Sequence, residues 1–433
     1  MSSVPTRRAR ALTLLCIVAA LGSGLGSTAA LAQERPHSIR QPAVAPAQPA
    51  PPSRLTLGAS VAQFTWPAIA GATGYRVRLS AYGTVRLERA WTATNVLIDG
   101  LDPEATYEFS FAAVNADGVG AYSTPVSFTT PFDRVERQFG SDRFATAARV
   151  SFRAHPVSGV GSVFVADGMN FPDALSAAAA AGRIGAPVLL TRPTVIPTAT
   201  RSELTGLAPA RAVVVGGTGA VSDDVASALG APVTRLAGVD RFETAAAVST
   251  LWTSAQTVYL ANGMDFPDAL AGAAAAGSKD SPVLLTRADA LPEATASALA
   301  RLKPARIIAL GGAAVVGDEV VAEAAAATGV TTTVQRLAGE SRYDTAVAVS
   351  KATFPTAGVP VVYIANGTSF ADALAAAAAG GERGGPVLLT PQSALPAAVI
   401  DEVTRLKPKR IVVLGGPSVV GDGVLARLLA LAQ

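Results

Sequence analysis

The chain has 433 residues, half of them hydrophobic and only 15% charged, with 35 Lys+Arg against 32 Asp+Glu. This composition can bury the cores of three or four domains, and it excludes a disordered or strongly polyionic protein. A single cysteine rules out an intramolecular disulfide, and two histidines leave little material for a metal cluster or a Ser-His-Asp triad.

Residues 1–32 read as a secretory signal. Arg7, Arg8 and Arg10 form a positive start, Ala11 to Ala20 an apolar run, and Ala30-Leu31-Ala32 a small-x-small cleavage site. Gly22, Gly24 and Gly26 interrupt the run before it reaches the ~20 residues of a membrane span. The expected mature chain is therefore exported, without a membrane span or a cysteine, since Cys16 leaves with the signal. Thr13-Leu14-Leu15 before Cys16 lacks a lipoprotein pattern, and Leu291-Pro292-Glu293-Ala294-Thr295 lacks the glycine of a sortase signal. Loss of the three arginines leaves Lys+Arg equal to Asp+Glu, so bulk charge offers no pull towards nucleic acid.

Residues 33–52, rich in Pro, Ala and Gln, read as a disordered linker. From 53 to 131 the pattern changes to short alternating segments. Gln63–Pro67 carries Phe64 and Trp66, and Gly74–Ser80 alternates Tyr75, Val77 and Leu79 with arginines. Asn95–Ile98, Thr106–Asn115 and Ser123–Thr129 follow, a spacing that predicts a β-sandwich. With Leu101 before Tyr107 as a tyrosine corner, the stretch resembles a fibronectin type III domain. The resemblance implies a spacer or a module with a protein or carbohydrate partner.

The remainder repeats with a period of about 100 residues, the size of a domain. The units run 133–232, 233–333 and 334–433. Arg137-Gln138-Phe139-Gly140-Ser141-Asp142-Arg143-Phe144 recurs from Arg235 and again from Arg336. Thr146, Thr244 and Thr345 follow in register. Phe171-Pro172-Asp173-Ala174-Leu175 recurs at Phe266 and Phe370, and Gly216-Gly217 recurs at Gly311 and Gly415. Short β-branched runs alternate with helical stretches, so each unit should be an α/β module with a parallel sheet covered on both faces. The alanine-rich stretches, such as Ala177–Ala181, are read as small faces that pack chiefly within a module.

These three units resemble the cell-wall-binding repeat 2 family of Gram-positive surface proteins. The resemblance implies Toprim-like modules packed as a pseudo-trimer, held non-covalently on an anionic secondary polymer of the wall.

Ligands of open parallel sheets sit beyond the carboxyl ends of the strands. Three repeated features fall there. The first is the Gly-x-[Asp/Ser]-Arg turn, carrying Arg143, Arg241 and Arg342. The second is the loop with Asp167, Asn262 or Asn366, leading to Asp173, Asp268 or Asp372 in the next helix. The third is the Gly-Gly pair. Arginine clamps anionic groups bidentately, and a helix N-terminus favours them. The same residues also serve structure. Asp142, Asp240 and Ser341 are preferred helix N-caps, with a capping box expected from Asp240 and Glu243. Asp173, Asp268 and Asp372 suit a helix first turn or an ion pair with the arginines. Arg211, Arg306 and Arg410 lie at the opposite sheet end, where contacts between modules are expected.

Enzymatic readings are poorly supplied. His37 lies in the linker and His155 has no counterpart in the other repeats. Gly216-Gly217-Thr218-Gly219 loses its third glycine in the other copies, and no Walker lysine follows. No cofactor, metal or catalytic residue is expected; a carboxylate-only glycosidase site is the remaining enzymatic alternative. The expectation is a secreted wall-anchored protein displaying the fibronectin-like domain. The alternatives are an interaction platform and an accessory factor of a wall hydrolase.

Overall fold

The computed structural model describes residues 45–432, apart from 58–60, 82, 99–100, 103, 132–133, 157, 171, 266 and 370. The signal and the first part of the linker lie outside the described residues. The linker's last stretch does not behave as free chain. Gln48 Nε2 donates to the Tyr122 carbonyl (2.8 Å), and Pro49 and Pro52 are buried.

Eight strands follow: β1 (Ser53–Leu57), β2 (Ala62–Thr65), β3 (Gly74–Ala81), β4 (Thr84–Trp91), β5 (Asn95–Ile98), β6 (Thr106–Asn115), β7 (Gly118–Val119) and β8 (Val126–Thr129). One sheet has the order β1-β2-β5 and the other β4-β3-β6-β7, with β8 also on β6. The alternating aromatics meet between them. Phe64 stacks on Phe109 at 4.2 Å and Trp66 on Phe111 at 4.5 Å, the offset-stacked range for rings that fill a core. The tyrosine corner is present: the Asp102 N–H donates to the Tyr107 hydroxyl at 2.9 Å. The sequence pattern missed β1 and β4, because both are largely exposed edge strands whose outward residues blur the alternation.

The first repeat contains β9 (Val135–Gln138), α1 (Arg143–Ala154), β10 (Val163–Asp167), α2 (Pro172–Ile184), β11 (Val188–Thr191), α3 (Thr198–Leu207), β12 (Ala212–Val215) and α4 (Asp223–Ser227). The second contains β13 (Val233–Leu236), α5 (Arg241–Val248), β14 (Thr257–Asn262), α6 (Pro267–Ser278), β15 (Val283–Thr286), α7 (Glu293–Leu302), β16 (Arg306–Leu310) and α8 (Asp318–Ala327). The third contains β17 (Thr333–Leu337), α9 (Arg342–Thr353), β18 (Val361–Asn366), α10 (Ala371–Arg383), β19 (Val387–Thr390), α11 (Ala397–Leu406), β20 (Arg410–Leu414) and α12 (Asp422–Leu431).

The sheets do not follow the repeats. Their orders are β11-β10-β12-β13, β15-β14-β16-β17 and β19-β18-β20-β9, all parallel. Each sheet takes its fourth strand from the following repeat. The third sheet takes its fourth strand from the first repeat, with Ile411 opposite Val135 and Leu414 opposite Gln138. The exchange is thus cyclic, and the β9–β20 pairing closes it without a covalent link.

The alanine-rich helices have a role beyond the one expected. Helices α2, α6 and α10 each pack against the other two, so their small faces join repeats as well as filling them. Glycine sets the closest approach: a Cβ built on Gly381 would stand 3.2 Å from the Cα atoms of both Gly182 and Gly277. Any side chain there would push the backbones apart.

The sandwich lies against the first repeat rather than standing off it. Phe152 of α1 packs against the sandwich core, and Arg149 meets Asp102 at 2.7 Å.

Candidate functional site

The three copies of the site are built across the seams between repeats. Each begins with a turn ending in a capped helix. Asp142, Asp240 and Ser341 hold extended backbone, and each side chain accepts N–H groups of the helix it starts. The capping box expected at Asp240 forms instead at Ser341, where the Asp344 carboxylate accepts from the Ser341 N–H at 3.1 Å. The longer Glu243 overshoots its cap and accepts from the Val239 N–H.

The arginine after the cap reaches across its own repeat. Nη1 of Arg143, Arg241 and Arg342 donates to the carbonyls of Gly168, Gly263 and Gly367 at 2.8, 2.7 and 2.8 Å. All three arginines are half-buried. The loops they hold are shaped by Asp167, Asn262 and Asn366, whose side-chain oxygens accept the N–H two residues on, at Met169, Met264 and Thr368. Asn262 and Asn366 also donate to the carbonyls of Val315 and Val419, and Asp167 instead accepts from Asn170. These are Asx-type turns, which place the polar side chain in the service of its own loop.

The acidic residues join neighbouring repeats. Asp173 hydrogen-bonds Thr244 and faces Arg241 of the second repeat. Asp268 hydrogen-bonds Thr345 and faces Arg342 of the third. Asp372 hydrogen-bonds Thr146 and faces Arg143 of the first. Each threonine hydroxyl also accepts the N–H of the turn glycine, Gly238, Gly339 or Gly140. Burial pushes all three carboxyls up, and the threonine and arginine hold them down in part. Asp173, which also feels Asp167, rises to about 6. The Gly-Gly pairs leave room for these acids. A Cβ on Gly216, where φ is +109°, would stand 2.5 Å from Asp173 Oδ2.

The candidate arginines and aspartates therefore do meet, as pairs across seams, while Asp167, Asn262 and Asn366 shape the adjacent loop. Sequence reasoning missed two sets of residues. The first is the threonines, visible only as register markers. The second is Arg137, Arg235 and Arg336, which clamp the preceding sheet. Arg235 donates to the Gly216 carbonyl (2.8 Å) and pairs with Asp223 (3.0 Å), and Arg336 repeats this with Gly311 and Asp318. Arg137 does the same across the closing seam with Gly415, Val420 and Asp422. The recurrence of an acid at the start of the preceding helix was the available signal. Of the arginines expected between modules, Arg211 bonds Ser162 within its repeat, and Arg410 meets Glu104 of the sandwich.

Among the described residues, no group of three or more His, Asp and Glu could hold a metal ion, and no helix is long and apolar enough to cross a membrane.

The family model for cell wall binding domain 2 matches residues 137–226, 235–321 and 336–425, the three stretches that carry the seams. The chain belongs to this cell wall binding domain 2 family. A fibronectin type III model matches residues 50–129 ahead of the repeats. The chain is similar to N-acetylmuramoyl-L-alanine amidase LytC of Bacillus subtilis, 28% identical over 260 residues, or 59% of this chain and 50% of that one. It is also similar to an amidase enhancer of the same organism, 28% identical over 61% of this chain and 36% of that one. The chain thus spans half or less of these relatives' own length. The fold is shared with Cwp6 from Clostridium difficile, at TM-score 0.65 and 21% identity over 88% of this chain and 66% of that one. Cwp8 from the same organism gives TM-score 0.62 and 23% identity, over 76% and 60%.

Proposed function

We propose that this chain is a secreted surface protein that holds an anionic secondary polymer of the cell wall without a covalent bond. In this reading the three repeats are Toprim-like modules in a pseudo-trimer, and polymer units bind at the seams beside Arg143, Arg241 and Arg342. The observation that carries it is the threefold recurrence of one Arg–Thr–Asp arrangement at the strand ends, in a cell wall binding family. Three weak sites on one body act at high effective concentration on a repeating polymer, which compensates for modest affinity at each. Asp167, Asn262 and Asn366 would present the loop, and Asp173, Asp268 and Asp372 would fix the arginines rather than touch ligand.

Sedimentation of the purified chain with native walls, and with walls stripped of secondary polymer, tests this reading. Binding only to native walls is expected; equal binding to both, or to neither, overturns it. A second reading, an accessory factor of a wall hydrolase, draws on the amidase-related matches. It predicts that the chain changes amidase turnover on peptidoglycan without binding walls on its own.

A further inference from the structure

The three seams provide an internal control, and one of them departs from the others. The inner face of the first seam includes Thr234, Leu236, Leu251 and Ile184 beneath the first sheet, beside Arg183 and Arg211 but with no carboxylate in its lining. The positions equivalent to these in the second seam are Gln335, Leu337, Ala352 and Lys279. In the closing seam they are Glu136, Gln138, Arg153 and Arg383. Glu136 and Gln138 are both 4% exposed. An uncompensated carboxylate there would be strongly destabilising. It is compensated: Gln138 Nε2 and Arg153 Nη2 both donate to Glu136, at 2.5 and 3.1 Å.

The network then leaves the repeats and enters the sandwich. Asp102, 2% exposed, lies 3.6 Å from Arg153 and 2.7 Å from Arg149. Glu104 meets Arg410 beside it. A second departure lies on α3. In the third repeat, buried Glu402 accepts from Ser350 and pairs with Arg405 at 2.6 Å. The first repeat keeps the acid and the serine, with Ser151 donating to Glu203 at 2.8 Å, but has Gly206 in place of the arginine. The cation facing Glu203 is Arg86 of the sandwich, which also lies 4.0 Å over Phe152.

We infer that these departures form a socket whose occupant is this chain's own fibronectin-type domain, so that the sandwich is a fixed part of the binding body. Both departures lie where the sandwich sits, and in both the sandwich supplies the missing opposite charge. Five residues, 130–134, join β8 to β9, too short a tether to act as a free arm. Ion pairs across this contact favour one arrangement, because an alternative leaves a buried carboxylate unpaired. The inference does not depend on what the seams bind.

The test measures spin-label distances in the full chain, with Cys16→Ser and labels at Val119→Cys on the sandwich and Val330→Cys on the second repeat. One narrow distance distribution is expected. Arg149→Glu sets a carboxylate against Asp102, and Arg86→Glu sets one against Glu203. Each should broaden the distribution. A broad distribution in the native chain overturns the inference, as does a narrow one that neither variant changes. Should Arg149→Glu fail to fold, Arg86→Glu decides alone, because Arg86 is exposed on an edge strand.

Discussion

Asp173, in the first turn of α2, is bonded to Thr244 and faces Arg241, and both of those residues belong to the next repeat. The acid is pushed up to about 6 from 3.8 because burial outweighs those two partners. A raised carboxyl favours the folded state only while protonated. Its contribution is therefore present at low pH and is lost as pH rises from about 4 through about 6. Thr244 stabilises the charged form, so its loss is felt most above that window. Thr244→Val should destabilise by about 1–3 kcal/mol at pH 7.5 and by less at pH 4.5. Asp173→Asn should have the opposite pH trend, gaining stability relative to the native chain as pH rises. Urea unfolding of both variants at the two pH values checks this, and an effect of Thr244→Val independent of pH would contradict it.

The strand clamps give a second prediction. Arg235 and Arg336 pin sheets whose fourth strand follows in the chain, whereas Arg137 pins a strand that is far away in sequence. Replacing any of them with Met removes charge-assisted bonds to carbonyls, about 1.5–3 kcal/mol each. Arg137→Met should also raise hydrogen exchange selectively in β20, whose edge becomes unpaired when β9 leaves. Exchange mapped by mass spectrometry reads this directly. Uniform loosening of all three sheets would refute the selective effect.

Triplication, parallel sheets and the capped turns were legible in the sequence because they rest on local signals: β-branched runs, cap residues and motif register. The cyclic strand exchange was not legible. Arg137, Arg235 and Arg336 open their repeats in sequence, and nothing local says that their strand hydrogen-bonds the sheet before. The alanine faces were ambiguous for a related reason, since small side chains pack equally well within and between modules. Asp102 carries no local signal of its role; its burial against Arg149 depends on a docking that only the fold displays.

The glycine contact at the centre yields a third prediction. Gly381 approaches Gly182 and Gly277 so closely that a Cβ meets backbone on both sides. Backbone cannot rotate away as a side chain can, so overpacking by Gly381→Val should exceed the usual ~1–3 kcal/mol. Gly206→Val, where a Cβ meets nothing within 4 Å, is the matched control. Thermal unfolding should separate the two by many degrees. Similar melting temperatures would show that the three helices can part without cost.

Gly206 also allows a stabilising change. Its counterparts are Arg301 and Arg405, and Arg405 pairs with Glu402 three residues before it. Glu203 has no such neighbour, and burial pushes it up to about 7. Gly206→Arg restores the pair on the same helix face and removes a glycine from the last turn of α3. The helix gain alone is at most about 0.8–1 kcal/mol, the figure for a helix interior. The ion pair adds to this only where Glu203 is charged, so the benefit should grow from pH 5 to pH 8 as the arginine draws the carboxyl back down. Melting curves at the two pH values measure it. A benefit equal at both would mean that helix propensity alone is responsible, and a loss at pH 8 would mean that the new arginine repels Arg86 more than it attracts Glu203.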